Sequence, residues 1–326
     1  MFSKIALIFF IAFELCYYLL IAQTGIIEYF ASDIYQIAPL PVGGIVGSLL
    51  SYKLLIKTQT KIKFFLIVQL ILTFFYPDYW AIMLFVLGIS VGALAPLLIN
   101  ELKKASMFEL GVALSLSYSI GTFLFNYEPA NREYIAIFFT LIVFVSSYFL
   151  PIEKQKKESD SFFTYPLLIM VLWIFLDSAL FETLSRDTDI SIWRNNFTFE
   201  IVVFHIMGVI AAIKLNIQRI ENELFIIILF AFSYLFYFLQ EPLLLSIVYP
   251  FVISYYNVNI LKSLIKKTLK KISLYMIFIG WIASGAGLFV ALENLTLFVP
   301  ISFLIALIPI FNSQKKIQTK EKKCIN

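Results

Sequence analysis

Charge is scarce in this sequence. Lys, Arg, Asp and Glu make up 14% of 326 residues, while 61% are apolar, and the mean hydropathy is +0.90. A soluble domain of this length could not bury so much apolar surface, so the class is a polytopic membrane protein. Cysteine is nearly absent: Cys16 lies within an apolar run and Cys324 near the far terminus. Such a pair excludes a disulfide framework. With a single histidine, His205, no His/Cys metal cluster is expected, and neither a Walker-type phosphate loop nor a nucleophile elbow occurs. ATP drive, a resident metal or cofactor, and enzymatic chemistry are therefore not expected. The net charge of +4 does not indicate nucleic acid, because the basic residues lie between apolar runs and in the tail. The first apolar run carries Glu14 at its centre and lacks a small-x-small cleavage pattern, so it reads as a spanning helix rather than a leader.

What is present is organised around the charged island at 151–161, which contains Lys154, Lys156 and Lys157 close to the midpoint of the chain. Six apolar segments lie on each side, each about long enough to cross a hydrocarbon core ~30 Å thick. Residues 224–259 form one apolar run that would be about 54 Å long as a single helix, so a break is placed at Gln240-Glu241-Pro242, where the residue before proline resists helix. In this topology 22 of the 25 Lys and Arg residues fall on one side, and only Arg132, Arg186 and Arg194 on the other. Positive loops stay inside, which puts both termini in the cytoplasm. The expected fold class is an all-α polytopic membrane protein. Its twelve transmembrane helices form two parallel-repeat six-helix bundles, at 1–152 and 164–312, with a cytoplasmic linker at 153–163 and a basic tail at 313–326.

Matches between the halves support a repeat. A shift of 163 lays Phe13-Glu14-Leu15 on Leu176-Asp177-Ser178, and a shift of 161 lays Gly47 on Gly208 and Lys53 on Lys214. Six is an even number of crossings, so such a repeat is parallel, a transporter plan that places sites near the midplane between repeats. With its six-plus-six helices, basic central loop and the stretch Gly47-Ser-Leu-Leu-Ser51-Tyr-Lys53-Leu-Leu-Ile-Lys57, the chain resembles the major facilitator superfamily. The superfamily's signature after helix 2 reads Gly-x-x-x-Asp-(Arg)-x-Gly-Arg; here Ser51 stands at the aspartate and Leu54 at the second glycine. Helix 5 lacks the Gly-Pro pair of the superfamily's antiporters. The resemblance implies a secondary transporter working by alternating access, with helices 1, 4, 7 and 10 around a central cavity. It makes Gly47 and Lys53 conformational candidates, and it places Pro96 and Pro250, in helices 4 and 10, where they would bend helices at that cavity.

Three titratable side chains fall at mid-depth: Glu14 in helix 1, Asp177 in helix 7 and His205 in helix 8. A charge at the bilayer centre costs ~2.5–3.5 kcal/mol or more, so such groups face a cavity or a partner. A carboxyl group that can hold a proton there has the property that proton coupling requires. Tyr18, Tyr249, Gln69 and Asn257 are the polar candidates expected to join them in a substrate- or proton-binding site. Glu182 reads as a solvated end residue. The expected partners are a small-molecule substrate, a proton or another coupling ion, and the lipid bilayer; a monomer in a bacterial cytoplasmic (inner) membrane is expected. Two alternatives differ in class. A transporter-like sensor or assembly subunit would be favoured by long extramembrane regions, and a membrane-embedded transferase by catalytic groups at an interface; neither feature is evident in the sequence.

Overall fold

The computed structural model describes residues 2–30, 33–151, 164–187 and 189–305, so the linker and the basic tail lie outside the described residues. All regular structure among the described residues is helical. The helices are α1 (Phe2–Tyr29), α2 (Ile34–Lys53), α3 (Thr58–Thr73), α4 (Ala81–Lys104), α5 (Met107–Leu124), α6 (Glu133–Ser147), α7 (Leu167–Arg186), α8 (Thr198–Lys214), α9 (Arg219–Phe238), α10 (Pro242–Leu264), α11 (Leu269–Leu292) and α12 (Thr296–Ile305). Eight of them, α1, α2, α4, α5, α7, α9, α10 and α11, are long and apolar enough to cross a membrane. Large apolar side chains such as Phe123, Phe138, Phe199 and Phe74 stand exposed on the outer wall, as lipid contact requires. The molecule is an integral multi-pass membrane protein.

The ends of these helices follow local chemistry. A capping box starts α5: Ser106 Oγ accepts from the Glu109 N–H at 3.2 Å, and Glu109 Oε2 accepts from the Ser106 N–H at 2.8 Å. Pro242 opens α10 at its first position, and Gln240 before it takes a left-handed φ of 56°. The long apolar run therefore breaks where the proline demands it. Two helices begin earlier than the lysine pattern suggests. α3 starts at Thr58, and α11 starts at Leu269 after Thr268 accepts from the Lys271 N–H. Lys61, Lys63, Lys270 and Lys271 thus sit in the first two helical turns rather than in loops.

The tightest crossing joins α2 to α4. A Cβ added to Gly47 would lie 2.0 Å from the Ile89 carbonyl oxygen, and one added to Gly92 would lie 2.2 Å from that of Gly44. Glycine lets the backbones touch, the device membrane helices use for close packing. Ser48 Oγ adds a hydrogen bond to the Gly92 carbonyl at 3.0 Å. The contact recurs later in the chain: a Cβ on Gly208 of α8 would lie 2.4 Å from the carbonyl oxygen of Phe251 in α10. Gly47 maps onto Gly208 and Ile89 onto Phe251 at nearly the same offset, so the two crossings are built alike.

Valine at Gly47 should therefore force α2 from α4 and lower the thermal midpoint in detergent by an amount equivalent to about 1–3 kcal/mol of overpacking. Gly285 has no atom within 4 Å of an added Cβ, and Gly285→Ala should leave the midpoint unchanged. Equal midpoints for the two variants would contradict this packing.

Candidate functional site

A cavity of about 310 Å³ lies at the centre of the molecule, lined by residues of α1, α4, α5, α7, α8, α10 and α11 together with Trp193. Glu14, Tyr18, Asp177, His205 and Asn257 all line it. Gln69 and Tyr249 do not reach the cavity, but each holds one of its acids. Gln69 Nε2 donates to Glu14 Oε2 at 3.2 Å, and the Tyr249 hydroxyl donates to Asp177 Oδ1 at 2.8 Å.

The two acids differ in how they are held. Asp177 has both oxygens occupied, since Tyr256 donates to Oδ2 while Tyr249 takes Oδ1. Glu14, only 4% exposed, has a partner on Oε2 and none on Oε1 among the described residues. Gln69 Oε1 is likewise buried without a partner. His205 is tied on two sides: Nδ1 lies 2.7 Å from Ser254 Oγ, and the ring stacks on Tyr118 with centroids 4.4 Å apart.

Two helices change winding where they meet the cavity. Residues Tyr18–Gln23 of α1 and Ile277–Ala283 of α11 form π turns, a distortion that recurs at functional sites. The first turns Tyr18, Leu19 and Gln23 to the cavity, and the second Ile279, Gly280 and Trp281. One carbonyl of the α1 π turn, that of Leu20, is met by Arg132, which is 1% exposed. Its guanidinium donates to the carbonyls of Leu20, Phe125 and Tyr127 at 2.8, 2.7 and 2.8 Å, and to Thr24 Oγ1 at 2.9 Å.

The conformational candidates lie around the cavity rather than in it. Gly47 belongs to the α2–α4 crossing, and Pro96 and Pro250 are buried within α4 and α10 beside lining residues Ala95 and Ile253. Lys53 stands exposed at the end of α2. The buried cation there is Lys61, whose Nζ donates to the Ser51 carbonyl at 2.7 Å. Ser51 Oγ in turn meets Ser273 Oγ of α11 at 2.7 Å, and Trp281 Nε1 donates to Ser48 Oγ at 3.2 Å.

Contacts of a different kind lie toward the opposite end. Glu182, expected at a solvated helix end, is 2% exposed. It accepts from Gln23 Nε2 of α1 at 2.9 Å and from Arg186 at 3.0 Å. The turn by which α7 continues to Arg186 keeps it under cover of α1. Glu28 pairs with Arg194 at 3.4 Å, and Asn126 Nδ2 donates to the Trp193 carbonyl at 2.6 Å. Trp193, Trp281 and Tyr118 carried no signal in a sequence where 17% of residues are aromatic.

No family model and no curated protein sequence matches the chain. Solved structures do. The human organic anion transporter MFSD10 superposes with a TM-score of 0.63 at 15% identity, covering 95% of this chain and 98% of its own. A bacterial homologue of the iron transporter ferroportin gives 0.58 at 11% identity, with 97% and 98% covered. The chain has the major facilitator fold. The major facilitator superfamily transporter FucP agrees, at 0.53 and 12% identity over 94% of this chain and 98% of its own. Within that fold the chain keeps its cavity where α1, α4, α7 and α10 converge, although the Asp of the loop signature is Ser51.

Arg132→Leu should strand three carbonyl groups and the Thr24 hydroxyl, and lower stability by about 3 kcal/mol or more. Arg194→Leu removes a pair whose arginine is 40% exposed, which costs about 0–1 kcal/mol. Thermal unfolding of the two purified variants should show that order, and the reverse order would contradict the role assigned to Arg132.

Proposed function

We propose that the chain is a secondary transporter that carries a small molecule across the membrane by alternating access, coupled to protons. In this reading twelve spans form two six-helix halves, 1–152 and 164–312, related as a parallel repeat. The linker 153–163 and both termini then lie on the cytoplasmic side, because that placement puts the lysine-rich ends of the helices inside. A bacterial cytoplasmic membrane suits this composition. One observation carries the proposal: Glu14 and Asp177, which occupy matching positions in α1 and α7, line a single cavity between the halves.

The contacts toward the two ends of the cavity suit a protein that must open at either end. Gln23–Glu182 and Glu28–Arg194 hold the halves at one end, and Ser51–Ser273 and Trp281–Ser48 hold them at the other. Each set is small and polar. Glu28–Arg194, whose arginine is 40% exposed, contributes about 0–1 kcal/mol, while Glu182, Ser51 and Ser273 are buried; in this reading rocking one half on the other breaks one set while the second stays in place. Lys61, bonded to the Ser51 carbonyl, steadies the inner set.

Glu14 is the group assigned to carry the proton. Its neighbour Gln69 serves both protonation states, because an amide presents a donor to a carboxylate and, once turned, an acceptor to a carboxylic acid. The buried Gln69 Oε1, without a partner while Nε2 faces Glu14, is the acceptor held in reserve. Asp177, with a tyrosine hydroxyl on each oxygen, holds its charge in place and shapes the second half of the site.

Proteoliposomes holding the purified chain should accumulate at least one member of a radiolabelled panel of amines, carboxylates and sugars when a pH gradient is imposed. Glu14→Gln should reduce gradient-driven accumulation at least about tenfold, in line with the loss of a general proton carrier. Accumulation at wild-type rates in both Glu14→Gln and Asp177→Asn would exclude the assignment of these acids, and no accumulation of any panel member would exclude transport.

A further inference from the structure

We infer that the cavity takes a small organic cation that carries an apolar or aromatic body and an N–H donor, an alkylammonium, and that Glu14 Oε1 meets its charge. The inference rests on the transporter reading and names the substrate class of the same site.

Charge points first to a cation. Two carboxyl groups line the cavity, and no Lys or Arg does among the described residues. The arginines nearest its rim are already committed: Arg186 to Glu182, Arg194 to Glu28, and Arg132 to backbone carbonyls and Thr24. An anion would meet two carboxyl groups and no counter-charge. A zwitterion would place its own carboxylate in the same position. The structural likeness to an organic anion transporter, at 15% identity, therefore does not extend to the chemistry of this lining.

The unequal state of the two acids points to Glu14. Asp177 is saturated by Tyr249 and Tyr256. Glu14 is 4% exposed, lines the cavity, and has its one hydrogen bond on Oε2, none being formed by Oε1 among the described residues. A carboxylate oxygen that takes no donor from the protein is free to accept a ligand N–H. A charged N–H on a carboxylate is the strong form of that bond.

The rest of the wall selects the body of the ligand. Tyr18, Tyr118, Phe181, Trp193, Tyr256 and Trp281 surround the acids. Aromatic faces attract a cation that has left water, and their bodies match an apolar substituent. Tyr18 and Trp281 meet edge to face, with centroids 6.4 Å apart. Each sits on a π turn, so the two distorted helices present the aromatic wall that faces Glu14.

Three probes of one size decide the matter: 2-phenylethylammonium, 2-phenylethanol and phenylacetate. Their binding to the purified full chain in detergent is read from tryptophan fluorescence, since Trp193 and Trp281 line the cavity, and checked by calorimetry. The ammonium should bind at least about tenfold more tightly than the alcohol, the advantage of a charged over a neutral hydrogen bond, and phenylacetate should give no saturable signal. Glu14→Gln should abolish the preference of ammonium over alcohol, and Asp177→Asn should reduce it less. Phenylacetate binding as tightly as the ammonium, no ammonium binding, or a larger loss in Asp177→Asn would overturn the inference. The ranking on the unaltered chain decides even if a variant fails to fold. Flux is separable: ammonium binding with no accumulation in proteoliposomes would sink the transporter reading and keep the ligand class. Accumulation of phenylacetate alone would do the reverse.

Discussion

Hydrocarbon offers no water, so every polar group inside this bundle must find a partner within the protein or in a cavity. That constraint decides where the charges of the chain sit. Arg132 is wrapped by carbonyl groups, Lys61 reaches the Ser51 carbonyl, and Lys262 donates to the Ala212 carbonyl at 2.6 Å. Asp177 is answered by two tyrosines and Glu182 by a glutamine and an arginine. Glu14 alone among the cavity acids is left half-answered, with one oxygen on Gln69 and one on the cavity.

The same rule explains why two helices unwind locally. A π turn releases carbonyl groups from the regular ladder, which in lipid demands compensation. In α1 the compensation is Arg132, fixed at the start of α6 and reaching the Leu20 carbonyl. The distortion is thus built in by a residue far away in sequence. It swings Tyr18 and Gln23 toward the centre, and Gln23 then meets Glu182 of α7. One buried arginine is in this way linked to the Gln23–Glu182 contact between α1 and α7.

Much of the fold was legible in the sequence because lipid punishes misplaced charge. Pro242 marked the break between α9 and α10, and the scarcity of mid-depth acids drew attention to Glu14 and Asp177, both of which line the cavity. The Gly47 and Gly208 match announced a repeated backbone contact whose partners, Ile89 and Phe251, became visible only with coordinates. What stayed hidden depended on contacts between distant segments. Glu182 lies near a helix end, where charge is ordinary, and only the approach of α1 buries it. Arg132 sits beside an outer loop, and nothing local shows that it turns inward. The lysines of α3 and α11 read as loop residues because a charged first helical turn at an interface has the same composition as a loop. The cavity aromatics were lost among 57 aromatic residues, a count that follows from 35 Phe, 18 Tyr and 4 Trp.

A central cavity where α1, α4, α7 and α10 converge, with polar contacts toward each end, accounts for these features together if the two ends open in turn. Spin-label distances on the chain in nanodiscs test that most directly, with one pair at Glu128 and Asp189 and another at Leu55 and Lys270, all exposed positions. A change of pH should lengthen the distances of one pair while shortening those of the other. Distances that stay fixed at both ends, or that lengthen and shorten together, would contradict alternating access and the transport mechanism built on it.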